Sequence, residues 1–320
     1  MRFANTILTA TLLIMLTVGT ALSQDEPVKI ETNLVSVNVS VTDRNGAYVR
    51  GLKQADFALL DDGQQRPIDT VFAQDAPLSV GIVYDMHTTS GRQSDDVLRA
   101  LKKLTSGLRN SDDFFVSVFN DRGTLTTQFV PSLEQIDRHL NNSKPTSPNS
   151  LYDAIFEAGN RVGALNNSKK ILLVLTDGAD HSSDHSLKEL TAKLRSVNLP
   201  LYALTFNNSN RDRYGYVDVM RGGPQQPFRI GEATEVDRGI VAEIAKSTGG
   251  QAFENNIRNQ FYLSALVQKV LDEVRNQYVI GFYPDELDGR WHSLKVTVKG
   301  QKEKGLKVAG RKGYLSPKKR

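Results

Sequence analysis

Three short, mostly apolar runs constrain this chain more than any other feature: Leu78 to Tyr84, Ile171 to Leu175 and Leu201 to Phe206. Runs of this length with no polar alternation read as strands buried on both faces. The segments that follow switch to helical spacing, with Val97, Leu98, Leu101, Leu104 and Leu108 after the first run and Leu187, Leu190, Leu194 and Val197 after the second. Further strands are expected at 114–119, 124–129 and 251–253, and further helices at 132–141, 150–163, 237–247 and 259–276. Strands alternating with helices at this spacing indicate an α/β fold with a doubly wound, mostly parallel sheet. Residues 207–235 are rich in Asn, Gly, Pro and Arg and read as an irregular surface insertion.

Both flanks of this block read as β. Val35, Val37, Val39 and Val41 alternate with polar residues, the period of a half-buried strand, and Asp43-Arg44-Asn45-Gly46 is a tight-turn sequence. Phe57 to Leu60 and Ile68 to Phe72 lie either side of a second turn signal, Asp61-Asp62-Gly63, so 33–73 is expected to be a small antiparallel meander. On the far side, Tyr278 to Tyr283, Trp291 to Val298 and Leu306 to Val308 are strand-like. Neither flank has enough strands to cover its own apolar face. The two are therefore expected to pair into one small sandwich, with the α/β block inserted between them. The boundaries this implies are 24–76 and 277–315 for the β segments, 77–276 for the inserted block and 316–320 for a solvated basic tail.

The first residues carry a separate signal. Met1-Arg2 is followed by an apolar stretch from Ile7 to Val18 and by the small residues Ala21-Leu22-Ser23. That is the pattern of a secretory signal peptide over 1–23, with the mature chain starting near Gln24 and exported to the periplasm or beyond the cell. The chain contains no cysteine, which excludes disulfides, thiolate nucleophiles and Cys-ligated metals. A net charge of +4 over 320 residues is too small and too dispersed to argue for nucleic acid, which is not expected as a partner. No segment after the signal is long and apolar enough to span a bilayer.

In doubly wound sheets, ligands gather at the carboxyl ends of the strands beside the point where strand order reverses. Those ends carry Asp85-Met86-His87-Thr88-Thr89-Ser90-Gly91 after the first buried run and Thr176-Asp177-Gly178-Ala179-Asp180 after the second, with Ser147-Pro148-Asn149-Ser150 leading into a helix between them. Aspartates, hydroxyls and an amide converging from three loops suit a hard divalent cation.

The order of these motifs resembles a von Willebrand factor type A domain over roughly 77–276. Asp85-x-His87-x-Thr89 stands where that family has Asp-x-Ser-x-Ser. Asn149-Ser150-Leu151-Tyr152-Asp153-Ala154 stands where many members read Thr-x-Leu-Tyr-Asp-Ala, and Leu173 to Gly178 matches the strand ending in Thr-Asp-Gly. The whole chain, with Asp56-Phe57, Asp62-Gly63 and Gly313-Tyr314, is similar to the exported bacterial proteins called VWFA-related. The resemblance implies a metal-ion-dependent adhesion site holding magnesium or manganese, completed by a partner protein's carboxylate. Carried over position by position, the ligands would be Asp85, His87, Thr89, Asn149, Ser150 and Asp177. His87 and Asn149 depart from the family pattern, which makes the site a degenerate one. An imidazole ligand at His87 would turn its preference toward zinc or manganese.

Plainer readings stand beside these. A strand-end Asp is commonly a turn former or cap, and with Thr89 and His87 turned away the loops would be held by hydrogen bonds with no cation at all. His181, Asp184 and His185 read as an exposed loop and helix start capped by Ser183 or Asp184. Arg211, Arg213, Arg221 and Arg229 read as a solvated loop, and Tyr278, Phe282 and Tyr283 as sandwich core. There is no Gly-x-Ser-x-Gly, phosphate-binding Gly-rich loop or His-Glu-x-x-His, so the chain is not expected to be an enzyme. Two function classes remain: a protein-binding module for adhesion or assembly, and a metal-independent structural subunit of a cell-envelope complex.

Overall fold

The computed structural model describes residues 33–72, 76–88, 92–120, 123–142, 150–165, 167–206, 214–216, 227–229, 235–255, 260–300 and 305–319. Leu34–Arg320 cluster as one contact unit and Met1–Asn33 as another. The signal-peptide reading, Thr89, Asn149, and Arg211, Arg213 and Arg221 fall outside the described residues.

The three apolar runs are strands β5 (Leu78–Asp85), β8 (Lys169–Thr176) and β9 (Leu201–Phe206). Every residue of β5 and β9 is buried. They sit at the middle of a six-stranded sheet completed by β6 (Asp113–Asn120), β7 (Gly123–Thr127) and β12 (Ala252–Asn255), in the order β12-β9-β8-β5-β6-β7. All neighbours are parallel except the edge pair β6–β7. Alternate residues of one strand feed two cores. Val80, Ile82 and Tyr84 of β5 pack toward α1 (Arg92–Ser106), α2 (Leu133–Asn141) and α6 (Gln260–Arg275). Val83 joins α3 (Leu151–Gly163), α4 (Leu187–Ser196) and α5 (Glu235–Thr248) on the other side. Gly81 lies on that second face because α3 presses directly onto β5: a Cβ there would stand 2.4 Å from Val162 Cγ2. The doubly wound sheet is thus present as read from the sequence.

The flanks form two four-stranded sheets, each mixing strands from both ends of the chain. One is ordered β15-β1-β13-β4 and the other β16-β14-β2-β3. The N-terminal members are β1 (Val35–Thr42), β2 (Phe57–Asp61), β3 (Gln64–Arg66) and β4 (Thr70–Phe72), and the C-terminal ones β13 (Tyr278–Phe282), β14 (Trp291–Val298), β15 (Lys307–Gly310) and β16 (Gly313–Leu315). Val37, Val39, Leu59, Ile280, Phe282 and Tyr314 meet in the core between them. The α/β block is inserted in this small sandwich, as expected.

Several local expectations change. The N-terminal segment is not a meander: of its four strands only β2 and β3 pair with each other, while β1 and β4 flank β13. Its apolar residues are better covered by partners from the far end of the chain than by one another. The polar face of β1 is buried too, at Asn38 and Ser40. On that strand the Ser36 carbonyl accepts from Asn198 Nδ2 (2.5 Å) and Arg311 Nη2 (2.7 Å). Tyr283 lies just past the end of β13 and is 49% exposed, outside the core that holds Tyr278 and Phe282. Within 207–235, β10 (Tyr214–Tyr216) and β11 (Pro227–Arg229) pair antiparallel, where irregular backbone was expected. The tail is anchored through its backbone, since the Lys319 N–H donates to Leu287 O (2.9 Å) and the Gly289 N–H to Pro317 O (3.3 Å).

Candidate functional site

Strand order reverses between β5 and β8, so the loops that leave their carboxyl ends diverge and open a crevice. Asp85 ends β5 there, fully buried. Its Oδ2 accepts a hydrogen bond from Thr176 Oγ1 of β8 at 2.9 Å, which ties the two strand ends together across the reversal. Its Oδ1 accepts from the His87 N–H at 2.9 Å and faces His87 Nδ1 at 3.0 Å. His87 sits in a 3-10 turn, Met86–Thr88, and its ring lies 6.2 Å from that of Phe119.

The loop after β8 is folded on itself. The Gly178 N–H donates to Thr176 Oγ1 (3.0 Å) and the Ala179 N–H to Asp177 Oδ1 (3.2 Å), and Asp177 is buried. Gly178 adopts φ +92°, and a Cβ there would stand 2.9 Å from the backbone of Asp237 at the start of α5. Both the left-handed conformation and the close approach require glycine at this place in Thr-Asp-Gly.

The same loop then supplies the caps of α3. Ser150 occupies the N-cap position but its hydroxyl makes no capping bond; it lies 3.5 Å from Ser182 Oγ. The open N–H groups of Tyr152 and Asp153 donate instead to Asp180 Oδ1 (3.0 Å) and Ser183 Oγ (3.2 Å). In return Asp153 accepts from the N–H groups of Asp184 (2.9 Å) and His185 (3.0 Å) and pairs with His185 Nδ1 at 2.7 Å. Burial alone would raise the Asp153 carboxyl, but these donors outweigh it and hold it below the usual carboxylate value. His185 stacks on Phe156 with ring centroids 3.8 Å apart. Burial, and then the charges of Asp180 and Asp237, push the Tyr152 phenol up. Beside this clasp lies a cavity of about 570 Å³ lined by Phe115, Phe119, Ser150, Asp153, Glu157 and Arg161.

Of the residues proposed from the sequence, Asp85 and His87 are brought together, Asp177 stands on the adjoining loop and Ser150 at the start of α3. Thr176, Asp153, Asp180, Ser183 and His185 were not singled out as site residues, although they carry most of the bonds. Nor is α4 capped by Ser183 or Asp184: Ser186 is its N-cap, in a capping box with Glu189, and Ser183 serves α3. Asp85 accepts on both oxygens and Asp177 on Oδ1.

No family model matches the chain, and no curated protein does. Solved structures with some likeness include an aerotolerance-related membrane protein from Bacteroides fragilis NCTC 9343, at 17% identity and a TM-score of 0.40 over 62% of this chain and 98% of that one. BatB from Bacteroides thetaiotaomicron gives 15% identity and a TM-score of 0.41 over 62% and 99% of the two chains. The pilus adhesin SpaC from Lactobacillus rhamnosus GG gives 10% identity and a TM-score of 0.40 over 86% of this chain and 49% of its own. At such identities and scores no property passes from them to this chain. Among the described residues, no helix is long and apolar enough to cross a membrane.

Proposed function

We propose that this chain is an exported protein-binding module of the von Willebrand factor type A kind, gripping another protein with the loops at the carboxyl edge of its central sheet. The observation that carries the reading is the Asp85–Thr176 bond across the strand-order reversal, at the point where doubly wound sheets place their ligands. The clasp of Asp153, Asp180 and Ser183 supports it, because loops preset in this way bind with a smaller ordering cost.

The hydrogen bonds already made by both oxygens of Asp85 support a face that is organised without a resident cation. Its acids, Asp153, Glu157, Asp180 and Asp184, then suit a partner presenting basic or N–H donor groups. If a cation is instead held by Asp85, Asp177 and Ser150 with Thr89 and Asn149, it supplies positive charge for a partner's carboxylate. Capture from the native cell envelope by crosslinking, with and without chelator, separates these cases. Capture lost in Asp180→Ala and Ser183→Ala and indifferent to chelator supports the hydrogen-bonded face. Capture abolished both by chelator and by Asp177→Ala, but not by His292→Gln, shows that a cation at this face is essential. Capture that survives both substitutions and the chelator moves the contact off this edge and favours a structural subunit that packs by other surfaces.

A further inference from the structure

The densest set of metal-ligating side chains in the described structure lies away from the strand-order reversal, on the rim of the sandwich. Asp61 ends β2, Asp62 follows in the turn with φ +46°, and His292 lies near the start of the adjacent strand β14. His292 Nδ1 is 2.8 Å from Asp62 Oδ2 and 3.8 Å from Asp61 Oδ1, and one ligand atom from each residue falls within 4.8 Å of the other two. Ligands held about 2.1 Å from one tetrahedral ion stand roughly 3.4 Å apart, so the spacing brackets what an ion needs.

The spare atoms of the three side chains are already anchored. Asp61 Oδ2 accepts from Tyr314 Oη at 2.9 Å. Asp62 Oδ1 accepts from the N–H and the hydroxyl of Ser293 at 2.7 and 2.9 Å. His292 Nε2 faces Asp288 Oδ1 at 3.1 Å, and Asp288 is itself held by the Arg290 N–H at 2.8 Å. This leaves one oxygen of each aspartate and Nδ1 of the imidazole turned toward a common point. The Asp61 oxygen so turned is buried and receives no hydrogen bond, on a residue only 3% exposed. A buried carboxylate oxygen without a donor is costly unless a cation faces it. Among the described residues the arginine that pairs with Asp61, Arg66, reaches the other oxygen, with Nε 3.7 Å from Asp61 Oδ2.

We propose that Asp61 Oδ1, Asp62 Oδ2 and His292 Nδ1 bind one divalent cation of the zinc or manganese kind, with Asp288 orienting the imidazole from behind. One nitrogen and two carboxylate oxygens favour such borderline ions over magnesium or calcium. A histidine that ligates through one nitrogen and donates from the other to a carboxylate is the usual arrangement around protein-bound zinc. The Asp62 side chain is 55% exposed, which gives the ion an entry path and leaves room for water in its remaining positions. Bound there, it would join the β2 turn to β14 and, through Asp288, to the loop that the chain's last residues pin down.

Calorimetry on the untagged, chelator-stripped full chain with zinc, manganese and magnesium chlorides tests this. One equivalent of zinc is expected to bind and raise the melting temperature, with magnesium weaker. Asp62→Asn, on the exposed rim, and His292→Gln should abolish that binding, and Asp288→Asn should weaken it about ten- to a hundredfold. Zinc-edge absorption should show mixed nitrogen and oxygen ligands at about 2.0–2.2 Å. The proposal is overturned by no zinc heat, by unchanged binding in Asp62→Asn or His292→Gln, or by histidine NMR showing both His292 nitrogens protonated in excess zinc.

Discussion

One side chain that ties distant parts of the fold together lies away from the candidate site. Asp112, in the turn before β6, has a fully buried carboxylate that binds the Arg275 guanidinium at the end of α6. The same carboxylate accepts from the N–H groups of Leu78 (2.9 Å) and Arg109 (2.7 Å), so one residue joins the start of the central strand to the last helix of the block. Burial would raise its carboxyl, but Arg275 and the two N–H groups prevail and hold it below the usual carboxylate value. A carboxyl lowered by folding stabilises the protein above its unfolded value of about 3.9, and that contribution disappears as pH falls through the lower folded value. Asp112→Ala should therefore cost about 3 kcal/mol at neutral pH, the usual penalty for stranding one member of a buried pair. The gap from wild type should narrow toward pH 2–3. Urea unfolding at pH 7 and pH 3 measures both, and an equal gap at the two pH values would refute the linkage.

At the scale of elements, α3 shows how the site and the fold share parts. Its first turn is satisfied by another loop and not by its own N-cap residue, which makes helix start and loop conformation one unit. Asp180→Ala removes the acceptor for Tyr152 N–H and the partner of Ser183 Oγ. It should cost about 1 kcal/mol, the ordinary value of a lost cap. Hydrogen exchange should quicken at Tyr152 and Asp153 while β8 stays protected; unchanged exchange at those two amides would show that the cap is not borrowed. The contrast also explains what was legible beforehand. The central strands and the helices follow from spacing of apolar residues within a few positions, and the sequence shows that directly. The bonds that build the site join residues 91, 28 and 32 positions apart, for Asp85 with Thr176, Tyr152 with Asp180 and Asp153 with His185. No local pattern announces such pairs. The short strands β3 and β16 were missed for a similar reason: Gln64–Arg66 and Gly313–Leu315 become strands only because β2 and β14 lie beside them. The rim aspartates were visible as a turn, but His292 is 230 positions away from Asp62 along the chain, and only folding brings them together.

For the whole molecule, the chief consequence is that the two ends of the chain hold one another. Strand β13 lies between β1 and β4, both from the N-terminal segment, and β14 lies between β2 and β16. Removing 24–75 would strip both hydrogen-bonding neighbours from β13 and one from β14, and would expose Ile280, Phe282 and Leu294, which are now buried in the sandwich core. Strands β5 and β8 would keep their neighbours, since every strand of the six-stranded sheet comes from the inserted block. The junction would also lose bonds, because the Ser36 carbonyl receives Asn198 and Arg311, and Arg50 Nε donates to Asn276 Oδ1 at 2.7 Å. Arg311 is buried far enough for its guanidinium to be drawn down to about 10, so losing that carbonyl would leave a charge badly placed in the interior. The 24–75 deletion should therefore show fast amide exchange across 278–298 and early proteolytic cuts there, with slow exchange retained at 78–85 and 169–176. An exchange map in which 278–298 stays as protected as in the intact chain would mean that the C-terminal strands are self-sufficient, and the inserted-block architecture would have to be abandoned.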